Sequence, residues 1–223
     1  MGKIIPGEPL PKHTKWDYDE CYAKVVLEKA FPERYSNLWI ADKPDLRDES
    51  NTVGIEVTSA IPQSKRESVS LWADIESHTA KNPERNKARM EQLGVKYTGG
   101  VQGWPGTVYP TGCFDKSPFV DVIDVFQMKI KKLNSGEYAS LCRYDLYVET
   151  ELFIESSFLP EILNRVLKIN TMSNTYTYVY MVCLNGICVF DLVQKTYEIR
   201  KIVLEQYDLA IEARNLVERA ETT

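Results

Sequence analysis

Hydrophobic spacing divides the chain into a readable series of elements. The clearest is Ser117 to Asn134, where Phe119, Val122, Ile123, Phe126, Ile130 and Leu133 recur at helical period and form one stripe. Ser117-Pro118 supplies a cap and a first-turn proline, and Asn134-Ser135-Gly136 ends the run. Trp16 to Phe31 predicts an earlier helix. Tyr18, Cys21, Tyr22, Val25, Val26 and Lys29 mark one of its faces, Asp17 and Asp19 favour its start, and Pro32 stops it. Between these helices, Leu38 to Ala41 leads into Pro44-Asp45, Asp48 to Thr52 is polar and turn-forming, and Val53 to Thr58 alternates as a half-buried strand does.

Further along, Leu141 to Val148 predicts a strand and Leu159 to Lys168 a short helix. Thr175 to Leu184 and Ile187 to Leu192 are β-rich runs joined at Asn185-Gly186, the strongest short hairpin signal. Tyr197 to Val203 adds a strand, and Glu205 to Ala220 a closing helix. Residues 1–14, with three prolines, read as a loose arm. Residues 60–117 read as an insertion. Within it, Ser68 to Ile75 opens a helix, Ala80 to Leu93 is polar and helix-prone, and Gly99 to Gly106 is a glycine-rich loop or hairpin with Trp104 near its tip. These elements predict an α/β (α+β) fold with a central mixed β-sheet flanked by helices. It forms one domain over 1–223, with its core in 16–60 and 118–203, the insertion at 60–117 and the C-terminal helix at 204–223.

Composition narrows the function classes. No apolar run approaches the roughly 20 residues that span a bilayer, and residues 1–7 hold no apolar signal region, so no membrane partner is expected. Five cysteines without a C-x-x-C pair, beside only two histidines, argue against a zinc site and for reduced thiols in the cytoplasm. A net charge of −5 opposes a surface that grips nucleic acid everywhere, and leaves room for a local basic groove. Lys81, Arg85, Lys87 and Arg89 read either as a solvated helix face or as a phosphate-contacting arm.

The chemistry gathers at the hairpin. If Pro44-Asp45 pairs with Val53 to Thr58, Asp45 and Glu56 fall on neighbouring strands, where two carboxylates can share one hard cation. The plain alternative makes Asp45 a turn residue and Glu56 the solvent side of an alternating strand. Glu28 lies at the edge of the first helix's apolar face, where a boundary carboxylate paired with a lysine is the simplest reading, while Glu20 points elsewhere beside Lys24. Lys129 flanks the stripe of the Ser117–Asn134 helix, placed either to snorkel or to reach a site at the sheet edge.

Pro44-Asp45 followed by Ile55-Glu56-Val57-Thr58, in this order of elements, resembles the PD-(D/E)XK nuclease superfamily, with a restriction-endonuclease-like core over 16–60 and 118–192. The resemblance implies a Mg²⁺-dependent (or Mn²⁺-dependent) nuclease acting on DNA. Asp45, Glu56 and the carbonyl of Val57 would be its metal ligands, and Glu28 its first-helix glutamate. Gln127 would match a polar residue on the second helix. The family's lysine position holds Thr58, whose hydroxyl is neutral. The resemblance therefore implies a lysine supplied by the following helix, Lys129 first and Lys132 second. A homodimer is a further expectation for the partners of this chain. Thr58 and the acidic charge motivate a second expectation, a catalytically inactive nuclease-fold protein that binds nucleic acid or protein. A third, an unrelated enzyme with a Cys or Ser nucleophile, has no Cys-His or Ser-His neighbourhood behind it.

Overall fold

The computed structural model describes residues 10–11, 13–76, 78–98, 107–110, 119–201 and 206–222. Most of the N-terminal arm, Trp104, the Ser117-Pro118 cap and the stretch from 202 to 205 lie outside the described residues. The chain divides into two compact units: Met1–Ala60 with Val122–Thr223, and Ile61–Asp121.

The first unit is built on a seven-stranded mixed sheet in the order β1-β2-β3-β6-β7-β8-β9. β1 (Trp39–Ile40), β2 (Leu46–Arg47) and β3 (Val53–Ser59) form an antiparallel meander. β3, β6 (Arg143–Glu149) and β7 (Tyr176–Cys183) run parallel. β8 (Gly186–Asp191) and β9 (Thr196–Arg200) return antiparallel. The mixed, helix-flanked α+β architecture expected from the sequence is the one observed. The three parallel strands lie inside the sheet, and each reads as a nearly unbroken buried run, as strands covered on both faces do.

One sheet face packs against α1 (Tyr18–Ala30) and α6 (Gln206–Thr222). Val26, Leu27 and Phe31 meet Ile55, Tyr147 and Tyr180 there, with Ala213 and Val217 behind them. α1 begins at Asp17, whose carboxylate accepts from the Asp19 amide at 2.8 Å, so the cap and first-turn acids stand where the sequence puts them. Strand alternation turns Glu56 to the other face. There α4 (Val120–Leu133) buries Val122, Phe126, Ile130 and Leu133, and the Phe126 ring meets Tyr176 at 5.8 Å. α5 (Leu159–Ile169) is strongly amphipathic and buries Leu159, Ile162, Leu163 and Val166.

The second unit covers most of the stretch that the sequence sets apart as an insertion. It holds α2 (Gln63–Glu76), α3 (Pro83–Gln92) and the antiparallel pair β4 (Val95–Thr98) and β5 (Thr107–Pro110). α2 starts five residues ahead of the helix expected from Ser68, because its first turn has little apolar signal of its own. Asn82 caps α3, and the Arg89–Glu67 ion pair at 2.7 Å ties α3 to α2. Arg89 is thus partnered within this unit, which fits the solvated-face reading of that basic run.

Candidate active site

The site begins with a residue that has no side chain. Gly54 sits in β3 where a methyl group would fall on Pro44 Cγ and within 2.5 Å of Leu141 Cδ1. Its bare Cα lets Pro44 lie against the strand, and Asp45 follows directly. β2 is only two residues long, with Leu46 opposite Ile55 and Arg47 opposite Gly54. The ladder therefore stops before Val57, and Asp45 takes over. Its Oδ2 accepts from the Val57 amide at 2.7 Å. The same register sets Asp45 across from Glu56.

Glu56 is the deepest charged side chain here, 1% exposed. Lys129 Nζ lies 2.6 Å from its Oε1 and 3.3 Å from the Val57 carbonyl. Lys132 Nζ reaches the same Oε1 at 3.0 Å. The two lysines are three apart on α4, so they project from one helix face. Glu56 Oε2 is buried without a hydrogen-bond partner, as is the Tyr138 hydroxyl. The phenol is close enough to act electrostatically on Glu56, but the two oxygens do not form a well-aligned hydrogen bond. The Lys132 ammonium stands 5.6 Å from the centre of the Tyr138 ring. Tyr176 donates to the Lys129 carbonyl at 3.3 Å.

Electrostatics separates the two carboxylates. Burial, then the Glu56 charge, pushes Asp45 up to about 6, against the pull of the Val57 amide, Lys129 and Lys132. Burial also works against charge on Glu56, but Lys129 overrides it, and its pKa lies below the ordinary glutamate value. Burial and the neighbouring Glu56 charge raise the Tyr138 phenol.

On the first helix, Glu28 is the boundary carboxylate paired with a lysine that the simplest reading expects, and Glu20 is the residue that departs from its reading. Glu28 Oε1 accepts from Lys24 Nζ and from the Leu38 amide, both at 2.6 Å. It is an anchor for the chain entering β1. Glu20, which the sequence reading turns away beside Lys24, is the helix glutamate within electrostatic reach of the pair. Burial, then Asp45, Asp17, Glu56 and Asp42, drive it up to about 7. Glu20 and Glu28 are eight residues apart and so about 80° apart around the helix, enough to separate a carboxylate near the pair from a structural one. Gln127 is exposed on α4, and Thr58 is half-buried and uncharged two residues beyond Glu56. Tyr138 has no sequence signal. It follows the glycine break after α4 and meets Glu56 only through the fold.

Among the described residues, no group of three or more His, Cys, Asp or Glu side chains gathers to hold a metal ion. The donors that do meet are all oxygen: Asp45, Glu56 and the Val57 carbonyl. Glu56 Oε2 is buried and unpartnered. Such a set suits Mg²⁺ or Mn²⁺, which keep several waters and take few protein ligands. Cys21 and Cys188, in contrast, are buried, and burial pushes both thiols up to about 12, which makes them poor nucleophiles. No helix among the described residues is long and apolar enough to cross a membrane. Comparison with protein-family models, curated proteins and solved structures finds no match.

Proposed function

We propose that the protein is a divalent-cation-dependent phosphodiester hydrolase of the nuclease class, acting on DNA in the cytoplasm, with a restriction-endonuclease-like core. The observation that carries this reading is the 2.6 Å contact between Lys129 and Glu56, which brings to the carboxylate pair the positive charge that Thr58 cannot supply. The order of α1, the β2–β3 hairpin, α4 and parallel β6 supports it.

In this reading Asp45, Glu56 and the Val57 carbonyl hold a Mg²⁺ or Mn²⁺ ion, which supplies charge against the crowded phosphate oxygens and acidifies the attacking water. Lys129 places its ammonium beside the same oxygens and orients that water. Asp45, with its raised pKa, is a carboxyl whose proton is readily displaced by a cation near neutral pH.

Incubation of supercoiled and linear DNA with the full chain, with Mg²⁺, Mn²⁺ or a chelator, tests the proposal. Cation-dependent cleavage that disappears in Asp45→Ala, Glu56→Ala and Lys129→Ala supports it. Cleavage unaffected by these changes, or absent from the wild type, overturns it. One observation favours a non-catalytic binding module instead: Glu56 Oε1 is shared by two ammonium groups, those of Lys129 and Lys132, which balance its charge from within the chain. Calorimetry separates the two readings, because a binding module with this closed cluster takes up neither Mg²⁺ nor Mn²⁺.

A further inference from the structure

Lys129 and Lys132 meet on one oxygen, yet their situations differ. The Lys129 side chain is 14% exposed and also donates to the Val57 carbonyl, so its ammonium is held from two sides. The Lys132 side chain is 42% exposed, and its ammonium reaches Glu56 Oε1 at 3.0 Å and the Tyr138 ring at 5.6 Å. One carboxylate charge needs one ammonium. The second is the more exposed and is carried on a flexible four-carbon stem.

We propose that Lys132, guided by Tyr138, is a binding site for a backbone phosphate of the nucleic-acid substrate, separate in role from Lys129 at the reaction centre. The inference rests on the nuclease reading of the same site. The Lys132 ammonium exchanges Glu56 Oε1 for a non-bridging phosphate oxygen, sliding over the face of the Tyr138 ring as it turns outward. Glu56 keeps Lys129 when this happens. The buried Tyr138 hydroxyl has no hydrogen-bond partner of its own and lies within electrostatic reach of Glu56, so it gives the carboxylate a replacement donor for the one that leaves. No covalent bond is made or broken in this step. A hydrogen-bonded ammonium moves from one anion to another.

The experiment uses the full chain and a fluorescently labelled DNA duplex. Binding is read by anisotropy in Ca²⁺ across a salt series, and cleavage kinetics are measured in Mg²⁺. Lys132→Gln is expected to weaken binding about tenfold and to reduce the salt slope by about one, the signature of one lost phosphate contact. The greater part of its loss in kcat/KM falls on KM, whereas the greater part of the Lys129→Gln loss falls on kcat. Tyr138→Phe is expected to weaken binding about threefold while keeping the salt slope, since the ammonium remains. Wild-type affinity and slope in Lys132→Gln, with cleavage still abolished by Asp45→Ala, overturn this inference and leave the nuclease reading standing. A wild-type protein that neither binds nor cleaves DNA overturns both. Thermal unfolding of each variant identifies any loss that comes from misfolding, and a folded Lys132→Arg that restores the slope supports the assignment.

Discussion

Lys129 on α4 donates to Glu56 on β3 across 2.6 Å, although 73 residues separate them in the chain. Removing one member of a buried ion pair usually costs about 3–5 kcal/mol, because the other charge is stranded. Here Lys132 stays on the same oxygen at 3.0 Å and lowers that cost. Lys129→Met, which keeps the apolar stem, is therefore expected to destabilise the protein by about 1–3 kcal/mol in urea unfolding. Glu56→Gln added to it should recover part of the loss, with a coupling of at least ~0.5 kcal/mol. Strict additivity would show that the two side chains are not energetically linked. DNA cleavage by Lys129→Met is expected to fall by about 10²-fold or more.

Gly54 is the position where the smallest change should do the most local damage. The added methyl of Gly54→Ala has Pro44 on one side and Leu141 on the other. The Leu141 contact is a terminal methyl that can turn aside, but the Pro44 atoms belong to a closed ring fixed to the backbone, so the Pro44-Asp45 segment must shift. Overpacking of this kind costs about 1–3 kcal/mol. The shift also takes Asp45 Oδ2 away from the Val57 amide that it holds at 2.7 Å. Calorimetry should show weaker Mg²⁺ uptake by Gly54→Ala than by wild type, alongside a lower urea midpoint. An unchanged cation affinity would mean that Asp45 does not depend on this close approach.

The sheet was legible because its central strands are buried on both faces and stand out as apolar runs between turn signals. Leu141 to Val148 predicts a strand within two residues of observed β6, and Asn185-Gly186 falls at the β7–β8 turn. The hairpin could be read because Val53 to Thr58 alternates and its partner run is short. The helix-borne lysine was reachable from the apolar stripe of α4, which fixes the residues flanking it. What sequence did not carry was rotation and loop placement. Glu20 and Glu28 share α1, and only the docking of α1 on the sheet decides which one approaches Asp45. Tyr138 lies in a loop after a glycine break, where periodicity gives no direction. The start of α2 carries no apolar signal, because its first residues, Gln63 to Glu67, are all polar.

Glu20 and Glu28 should therefore fail in different assays. Glu28→Gln keeps an acceptor for the Leu38 amide but weakens its bond to Lys24, so a loss of up to about 1 kcal/mol in stability is expected with little effect on cation uptake. Glu20→Gln removes a negative charge that both Asp45 and Glu56 feel. It should stabilise the protein above pH 7, where the wild-type carboxyl is ionised, and weaken Mg²⁺ binding as measured by calorimetry. If Glu28→Gln impairs Mg²⁺ uptake and Glu20→Gln does not, the helix glutamate has been assigned to the wrong turn.

Asp145 offers a test of buried charge away from the candidate site. It is fully buried on β6, where it accepts from the Tyr35 hydroxyl at 2.7 Å, Arg143 Nε at 3.0 Å and the Tyr178 amide at 3.0 Å. Tyr180 joins the cluster through its 2.8 Å hydrogen bond with Tyr35, and Arg34 reaches Tyr180 at 3.3 Å. Burial raises the carboxyl from 3.8 to about 6, outweighing Arg143 and the hydrogen-bond donors. The folded protein then holds a proton that the unfolded chain has already released. Bound protons are in excess in the folded state between about pH 4 and 6, so this group's contribution to stability falls as pH rises through that window and is constant above it. Asp145→Asn cannot ionise and should lack this dependence. Its amide leaves one donor facing donors, so it is expected to be less stable than wild type at pH 4, by about 1–3 kcal/mol. That gap should narrow as pH approaches 6. Urea unfolding of both proteins at pH 4, 5, 6 and 7 measures the gap directly. A gap that stays level, or that widens with pH, would show that Arg143 and Tyr35 keep Asp145 ionised in the folded state throughout.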